Sequence, residues 1–221
     1  YTSIDAEMGF IKDHTDVMAV ETNLLRHIAE HLRATCAKEF ALWGAEIPAV
    51  PEAIPSMKLR EAQELIFAET GKDNRAEPDL EPEDERWLCD WAQRTHSSDF
   101  VFVTHYPVSK RPFYTYEDEA DPGFTKSFDL LFRGVEITTG GQRRHDYDNL
   151  IEGAKAKGLD PANFSFYLQA FKTGLPPHGG WGMGLERLTA KLLGIPNVKE
   201  AALFPRDINR IDTLLSTDKK E

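Results

Sequence analysis

Gly179-Gly180-Trp181-Gly182-Met183-Gly184-Leu185-Glu186-Arg187-Leu188-Thr189-Ala190-Lys191-Leu192-Leu193 is the stretch from which the fold can be read. Four glycines in its first six positions suit an extended segment that other backbone or a flat ligand approaches closely, since a side chain would block that approach. Behind them the period changes. Met183, Leu185, Leu188, Leu192 and Leu193 recur at helical spacing, so a glycine-rich strand passes into an amphipathic helix at about Gly184. Arg187 then lies in the first helical turn, near the strand's end, where its fixed fork of donors matches phosphate oxygens. The spacing is neither a Walker loop nor a dinucleotide fingerprint. From these residues alone, Arg187 paired to Glu186 or another surface carboxylate is as good a reading as an anion site.

A second constellation is Ser127-Phe128-Asp129-Leu130-Leu131-Phe132-Arg133-Gly134-Val135-Glu136-Ile137-Thr138-Thr139-Gly140-Gly141-Gln142-Arg143. A strand to Phe132, a turn at Arg133-Gly134 and a strand from Val135 would bring Asp129 and Glu136 towards one region. Paired carboxylates beside a threonine hydroxyl suit a hard divalent cation such as magnesium, completed by water and phosphate oxygens. On spacing alone, seven residues apart, a surface pair is the better reading. At the start of the chain, Ile4, Ala6, Met8 and Phe10 alternate with Asp5, Glu7 and Gly9 from Ser3 to Ile11, the pattern of a half-buried antiparallel strand.

Helices account for much of the rest. Thr15 or Asp16 caps a helix whose expected stripe is Val17, Val20, Leu24, Ile28 and Leu32. His27 and His31, one turn apart, read as a solvated face rather than a metal site. Further helices are expected from about Ser56 to Glu69 and from Pro82 to Arg94, with Trp87, Leu88 and Trp91 as packing residues. Phe100 to Thr104 reads as a strand, and Pro112 to Tyr116 as its return in a hairpin, with Lys110 and Arg111 at the bend as loop charges or as groups aimed at an anion. Asp148 to Lys157 and Pro161 to Lys172 read as two helices, the second capped by Asp160. The tail after Asn209 has no periodicity.

At 221 residues the chain can bury one sizeable core, and its composition is that of a globular protein. A formal net charge of -11 argues against a broad nucleic-acid-binding surface on this chain. Cys36 and Cys89 are far apart and read as reduced core thiols of a cytoplasmic protein. No apolar run approaches membrane-spanning length, so no membrane partner is expected. Tyr1 opens almost directly into a strand without an initiator methionine, which makes a fragment of a longer protein the expectation.

Gly184-Leu185-Glu186-Arg187 resembles the core of motif 3 of the class II aminoacyl-tRNA synthetases. Pro176-Pro177-His178-Gly179-Gly180 before it and Phe204-Pro205-Arg206-Asp207 after it narrow the likeness to the aspartyl/asparaginyl group of archaeal type. The likeness extends from Tyr1 to Asn209. Tyr1 to Ile11 looks like the strand directly after motif 2. The block from Ser127 to Arg143 is similar to the family's Phe-Asp-Leu…Arg-Gly-Val-Glu-Ile-Ser-Ser-Gly-Gly-Gln-Arg element, with Thr138-Thr139 in place of the serines. The family's Tyr-Pro…Lys-Pro-Phe-Tyr run places lysine where this chain has Arg111.

The resemblance implies an α+β fold, an antiparallel sheet flanked by helices, forming a class II catalytic core over 1–221 that is incomplete at its N-terminus and carries a structural helical insertion at about 56–95. It implies that Asp129, Glu136 and Thr139 hold magnesium, that Glu136, Gly182, Gly184 and Arg187 bind ATP, and that Thr139, Gln142 and Arg143 bind aspartate. Arg187 takes the catalytic role at the γ-phosphate, and Arg143 meets the substrate's side-chain carboxylate. The implied activity is formation of aspartyl-adenylate and transfer to tRNA, by a whole polypeptide expected to be a homodimer. In this class the arginine for the α-phosphate, the motif 1 dimer element and the anticodon-binding domain precede the strand at Ser3, so the chain alone is not expected to aminoacylate. An asparaginyl enzyme, a synthetase-derived asparagine synthetase and a non-catalytic paralogue are the alternatives.

Overall fold

Phenylalanine and valine alternate from Phe100 to Thr104, and both faces of that strand are buried. Two layers therefore have to cover it. In the computed structural model, which describes residues 1–205, the strands are β1 (Ser3–Gly9), β2 (Ser56–Lys58), β3 (Phe100–Thr104), β4 (Ser127–Phe132), β5 (Val135–Gln142) and β6 (His178–Gly184). They form one six-stranded sheet of order β1-β6-β5-β4-β3-β2. All neighbours are antiparallel except β2 and β3. The main helices are α1 (His14–Thr35), α2 (Ala37–Trp43), α3 (Leu59–Thr70), α4 (Pro82–His96), α5 (Tyr147–Ala156), α6 (Ser165–Leu168) and α7 (Leu185–Leu193).

One face of the sheet packs on α1. Val17, Met18 and Leu25 meet Phe100, Phe102, Phe128, Leu130, Ile137, Trp181 and Met183 in a single apolar cluster. Large buried rings of this kind dominate the energetics of a core, each removing roughly 150–250 Å² from water. Among the described residues, the opposite face is covered by helices at one end, and beside them the loop carrying Tyr106 and Arg111 closes over Ser127 and Asp129. At the helical end Leu59, Ala62 and Ile66 of α3 and Leu88, Cys89 and Ala92 of α4 pack on Val101, Val103 and Leu131. The sequence of β4 follows this division: its second face reads Ser127, Asp129, Leu131, turning apolar only where α4 arrives. Among the described residues, the rest of that face, across β5, β6 and β1, stays open as the floor of a cleft.

Several local expectations need correction. The cap of α1 is Asp13, whose side chain accepts the N–H of Thr15, because Asp13 is the last residue with extended backbone. The buried side of α1 runs through His14, Val17, Met18, Glu21, Leu25 and Ala29, while Val20 is exposed. Strand β1 stops at Gly9, and Phe10, at φ +61°, turns outward. Ser56 begins no helix: it opens β2, which joins the main sheet, so the stretch 56–95 is not purely helical.

The expected hairpin to Pro112–Tyr116 does not form. The antiparallel partner of β3 is β4, and the intervening segment makes only isolated bridges such as Thr115 to Arg143. The stretch 161–173 is a single turn of α-helix, α6, between two 3-10 segments rather than one regular helix. Arg206, Asp207 and the tail after Asn209 lie outside the described residues.

Candidate active site

On the open face, cross-strand neighbours fall into rows. Asp129, Thr139, Gly182 and Asp5 are successive partners from β4 to β1, and Ser127, Gly141, Gly180 and Glu7 are the next row. Polar side chains on the flanking strands thus face each other across a glycine floor. A Cβ on Gly180 would collide with the carbonyl oxygen of Ala6 and with Glu7. One on Gly182 would meet only the tips of Asp5 and Ser3, at 3.0 and 3.5 Å. Above this floor lies a cleft of about 970 Å³ whose lining includes Asp5, Glu136, Thr139, Arg143, Gly182 and Arg187.

The position of Glu136 depends on a bulge. Leu130 pairs with Thr138 but Leu131 pairs with Glu136, which leaves Ile137 as an extra residue on β5. Ile137 packs in the cluster against α1, and the neighbouring Thr138 lies opposite Leu130 of that same cluster. Two consecutive side chains on one face are what a bulge permits and a regular strand forbids. Glu136 and Thr139 are thereby returned together to the open face, where the Thr139 hydroxyl donates to Glu136 Oε1 at 2.8 Å.

The strand-to-helix change at Gly184 occurs as the period indicates, with β6 ending there and α7 starting at Leu185. Arg187 does not pair with Glu186, whose carboxylate accepts the backbone N–H of Thr2. Instead Arg187 Nη1 donates to the backbone carbonyl of Glu136 at 2.8 Å and lies 3.8 Å from its Oε1. Its side chain stays half exposed to the cleft.

Asp129 sits behind this layer, buried and absent from the cleft's lining. Its Oδ2 pairs with Arg111 Nη2 at 2.8 Å, while Oδ1 is buried with no hydrogen-bond partner among the described residues. Burial pushes its carboxyl up to about 6; Arg111 opposes that shift and the charge of Glu136 adds to it. Arg111 also donates to the Ser127 hydroxyl at 3.0 Å and lies over the Tyr106 ring. Lys110, beside it, points away to Asp79. From the bend alone the two cations were equivalent; the proline after Arg111 was the only signal that separated them. A third carboxyl, that of Glu85 on α4, accepts the backbone N–H of Glu136 at 3.3 Å. Burial pushes Glu85 up to about 7; the hydrogen bond from Glu136 opposes that shift, and the charges of Glu136 and Asp129 reinforce it.

Arg143 presents its fork to Glu7, with Nε 3.2 Å from Oε1 and Nη2 3.3 Å from Oε2. Gln142 next to it is buried, with Oε1 unpartnered among the described residues, and does not line the cleft. Among the described residues no three His, Cys, Asp or Glu side chains form a metal cage. A magnesium ion does not require one, since it binds through one or two carboxylates and the phosphates of its nucleotide. Glu136 with the Thr139 hydroxyl, and the unpartnered Asp129 Oδ1, fit that donor set.

Residues 1–208 match the family described as tRNA synthetases class II (D, K and N). The chain is 50% identical over 211 residues to the Aspartate--tRNA(Asp/Asn) ligase of Thermus thermophilus, covering 96% of this chain and 49% of that protein. In structure it is similar to the aspartyl tRNA synthetase from Entamoeba histolytica, with TM-score 0.86 and 31% identity over 95% of this chain and 44% of that one. It is also similar to asparaginyl-tRNA synthetase from Pyrococcus horikoshii complexed with asparaginyl-adenylate, with TM-score 0.85 and 29% identity over 95% of this chain and 48% of that one. The chain spans about half the length of the relatives it matches.

Proposed function

The chain belongs to the class II tRNA synthetases of the D, K and N group, and on that premise we propose that the polypeptide carrying it activates aspartate with ATP and transfers it to tRNA. The observation that carries this reading is the pairing of Arg187 with Glu136 at the rim of a glycine-floored cleft that also holds the Arg143 fork. In the first step the α-carboxylate of aspartate attacks the α-phosphate of ATP. The bond to pyrophosphate breaks, and aspartyl-adenylate and pyrophosphate form.

This chain's residues contribute binding and electrostatics. Gly182 and Gly184 leave room for the flat adenosine. Arg187, at the γ-phosphate, offsets charge on the leaving group and orients it. Magnesium, when bound at Glu136 and Thr139 with Asp129 behind them, supplies further positive charge to the phosphates. Arg143, oriented by Glu7 on its Nε and Nη2, offers its remaining donors to the side-chain carboxylate of aspartate, and such a charged site discriminates strongly against analogues that leave it unpaired. Gln142, buried outside the cleft, receives no direct substrate role in this reading.

The whole polypeptide takes tRNA as its second substrate, acts as a homodimer and works in the cytoplasm, a compartment in keeping with its free thiols Cys36 and Cys89. The name of the Thermus relative extends the proposal to charging both aspartate and asparagine tRNAs. The test is ATP–pyrophosphate exchange by that polypeptide with each amino acid, followed by charging of the two tRNAs. Exchange driven by aspartate supports the reading. Exchange driven by asparagine instead would replace it with the asparaginyl one, and aspartate passed to ammonia would mark an asparagine synthetase.

A further inference from the structure

The helical block that interrupts the strands has a packing role through Leu88, Cys89 and Ala92 of α4, but Glu85 on the same helix does something else. A glutamate in a first helical turn ordinarily complements the helix dipole or caps free N–H groups. Here those tasks are taken: Asp84 accepts the N–H of Glu81, and Glu81 closes the capping box. The Glu85 carboxylate reaches across to β5 and accepts the N–H of Glu136.

Pairing of β5 with β6 ends at Thr138 and Met183, because β6 passes into α7 one residue later. The peptide groups of Glu136 lie beyond that last pair. Their places are filled by side chains, Glu85 on the N–H and Arg187 on the carbonyl. One residue is thus gripped at both of its backbone polar groups, next to the bulge at Ile137 where the ladder between β4 and β5 is interrupted.

We propose that Glu85 is a positioning residue for nucleotide binding: by holding the Glu136 peptide across from Arg187, it fixes the direction in which the Glu136 carboxylate enters the cleft. This rests on the reading of Glu136 and Arg187 as the ATP–magnesium end of the site. It gives the helical insertion a part in the chemistry beyond packing.

The test uses the whole polypeptide with Glu85→Met, which fills the same space without a strong acceptor, and Glu85→Gln, which keeps one for the Glu136 N–H. Three quantities are read: KM for ATP against KM for aspartate in pyrophosphate exchange, the Kd for ATP with magnesium by calorimetry, and Tm. Glu85→Met is expected to raise both KM and Kd for ATP about tenfold with KM for aspartate and Tm little changed, and Glu85→Gln to stay within about threefold of the parent. Unchanged ATP binding in Glu85→Met, equal impairment of both variants, or a parallel rise in both KM values would overturn the proposal. Glu136→Ala and Arg187→Ala run alongside. If they abolish exchange while Glu85→Met does not alter ATP binding, this inference alone fails. If they too leave exchange intact, the reading of the cleft fails and this inference with it.

Discussion

Glu136 and Thr139, three positions apart on one strand, share a face and a 2.8 Å hydrogen bond because the chain spends one extra residue, Ile137, on the far side. The Thr139 hydroxyl therefore orients the Glu136 carboxylate before any ligand arrives. Thr139→Val, nearly the same shape without the hydroxyl, is expected to raise the magnesium concentration for half-maximal pyrophosphate exchange about tenfold, the cost of one hydrogen bond to a charged group. Thr139→Ser keeps the donor and should stay close to the parent. Equal curves for valine and parent would remove Thr139 from the site.

Arg187 is half exposed and bonds the Glu136 carbonyl through Nη1. Its loss should therefore spare the fold while removing charge where the leaving group develops it. Arg187→Ala in the whole polypeptide is expected to lower kcat for exchange roughly a hundredfold or more with Tm little changed. Arg187→Lys should recover only part, since an ammonium lacks the planar fork. Exchange at the parental rate in Arg187→Ala would refute the assignment.

Two glycines of β6 make opposite predictions. A Cβ at Gly180 strikes the Ala6 carbonyl on the paired strand, so Gly180→Ala should destabilise the fold or leave it insoluble. At Gly182 the Cβ meets only side-chain tips across the cleft floor, 3.0 Å from Asp5 Oδ1. Gly182→Ala should fold normally, with Tm near that of the parent, and raise KM for ATP. Circular dichroism melts and exchange kinetics separate the two. A stable Gly180→Ala, or a Gly182→Ala that binds ATP as the parent does, contradicts the floor described above.

Glu21, fully buried on α1, has both carboxylate oxygens without a hydrogen-bond partner inside the described residues, although Thr138 lies near enough to favour its charged form slightly. Burial pushes it from an ordinary value of 4.5 up to about 8. The folded state thus keeps a proton that the unfolded chain releases above about pH 4.5. The neutral carboxyl's contribution is whole below that pH and is lost as pH rises through about 8. Glu21→Met removes the titration, so it should be more stable than the parent at pH 8 by on the order of a few kcal/mol, at about 1.4 kcal/mol per pH unit. The difference should shrink towards pH 5. Chemical denaturation at the two pH values measures it, and a gap that does not depend on pH would show that Glu21 does not titrate in this way.

Much of this protein follows from contacts between residues near one another in the chain. The change from strand to helix at Gly184, the hairpin turn at Arg133 and Gly134, both with positive φ, and the placement of Arg187 in the first turn of α7 are local events, set by period, turn chemistry and glycine. What tertiary structure decided is which side chains meet. Strand alternation alone would send Glu136 and Thr139 to opposite faces, and only the offset between β4 and β5 reunites them. Arg111 rather than Lys110 reaches Asp129 because its loop folds over Tyr106 instead of forming a hairpin. Glu85 meets Glu136 across 51 residues of sequence because α4 lies over the end of β5 left bare by β6. Gln142, next in sequence to Arg143, is buried away from the cleft its neighbour lines. Period and turn chemistry act over a few residues and are written in their order; the meeting of a bulge, a helix and a loop depends on packing between distant segments, which no local pattern encodes.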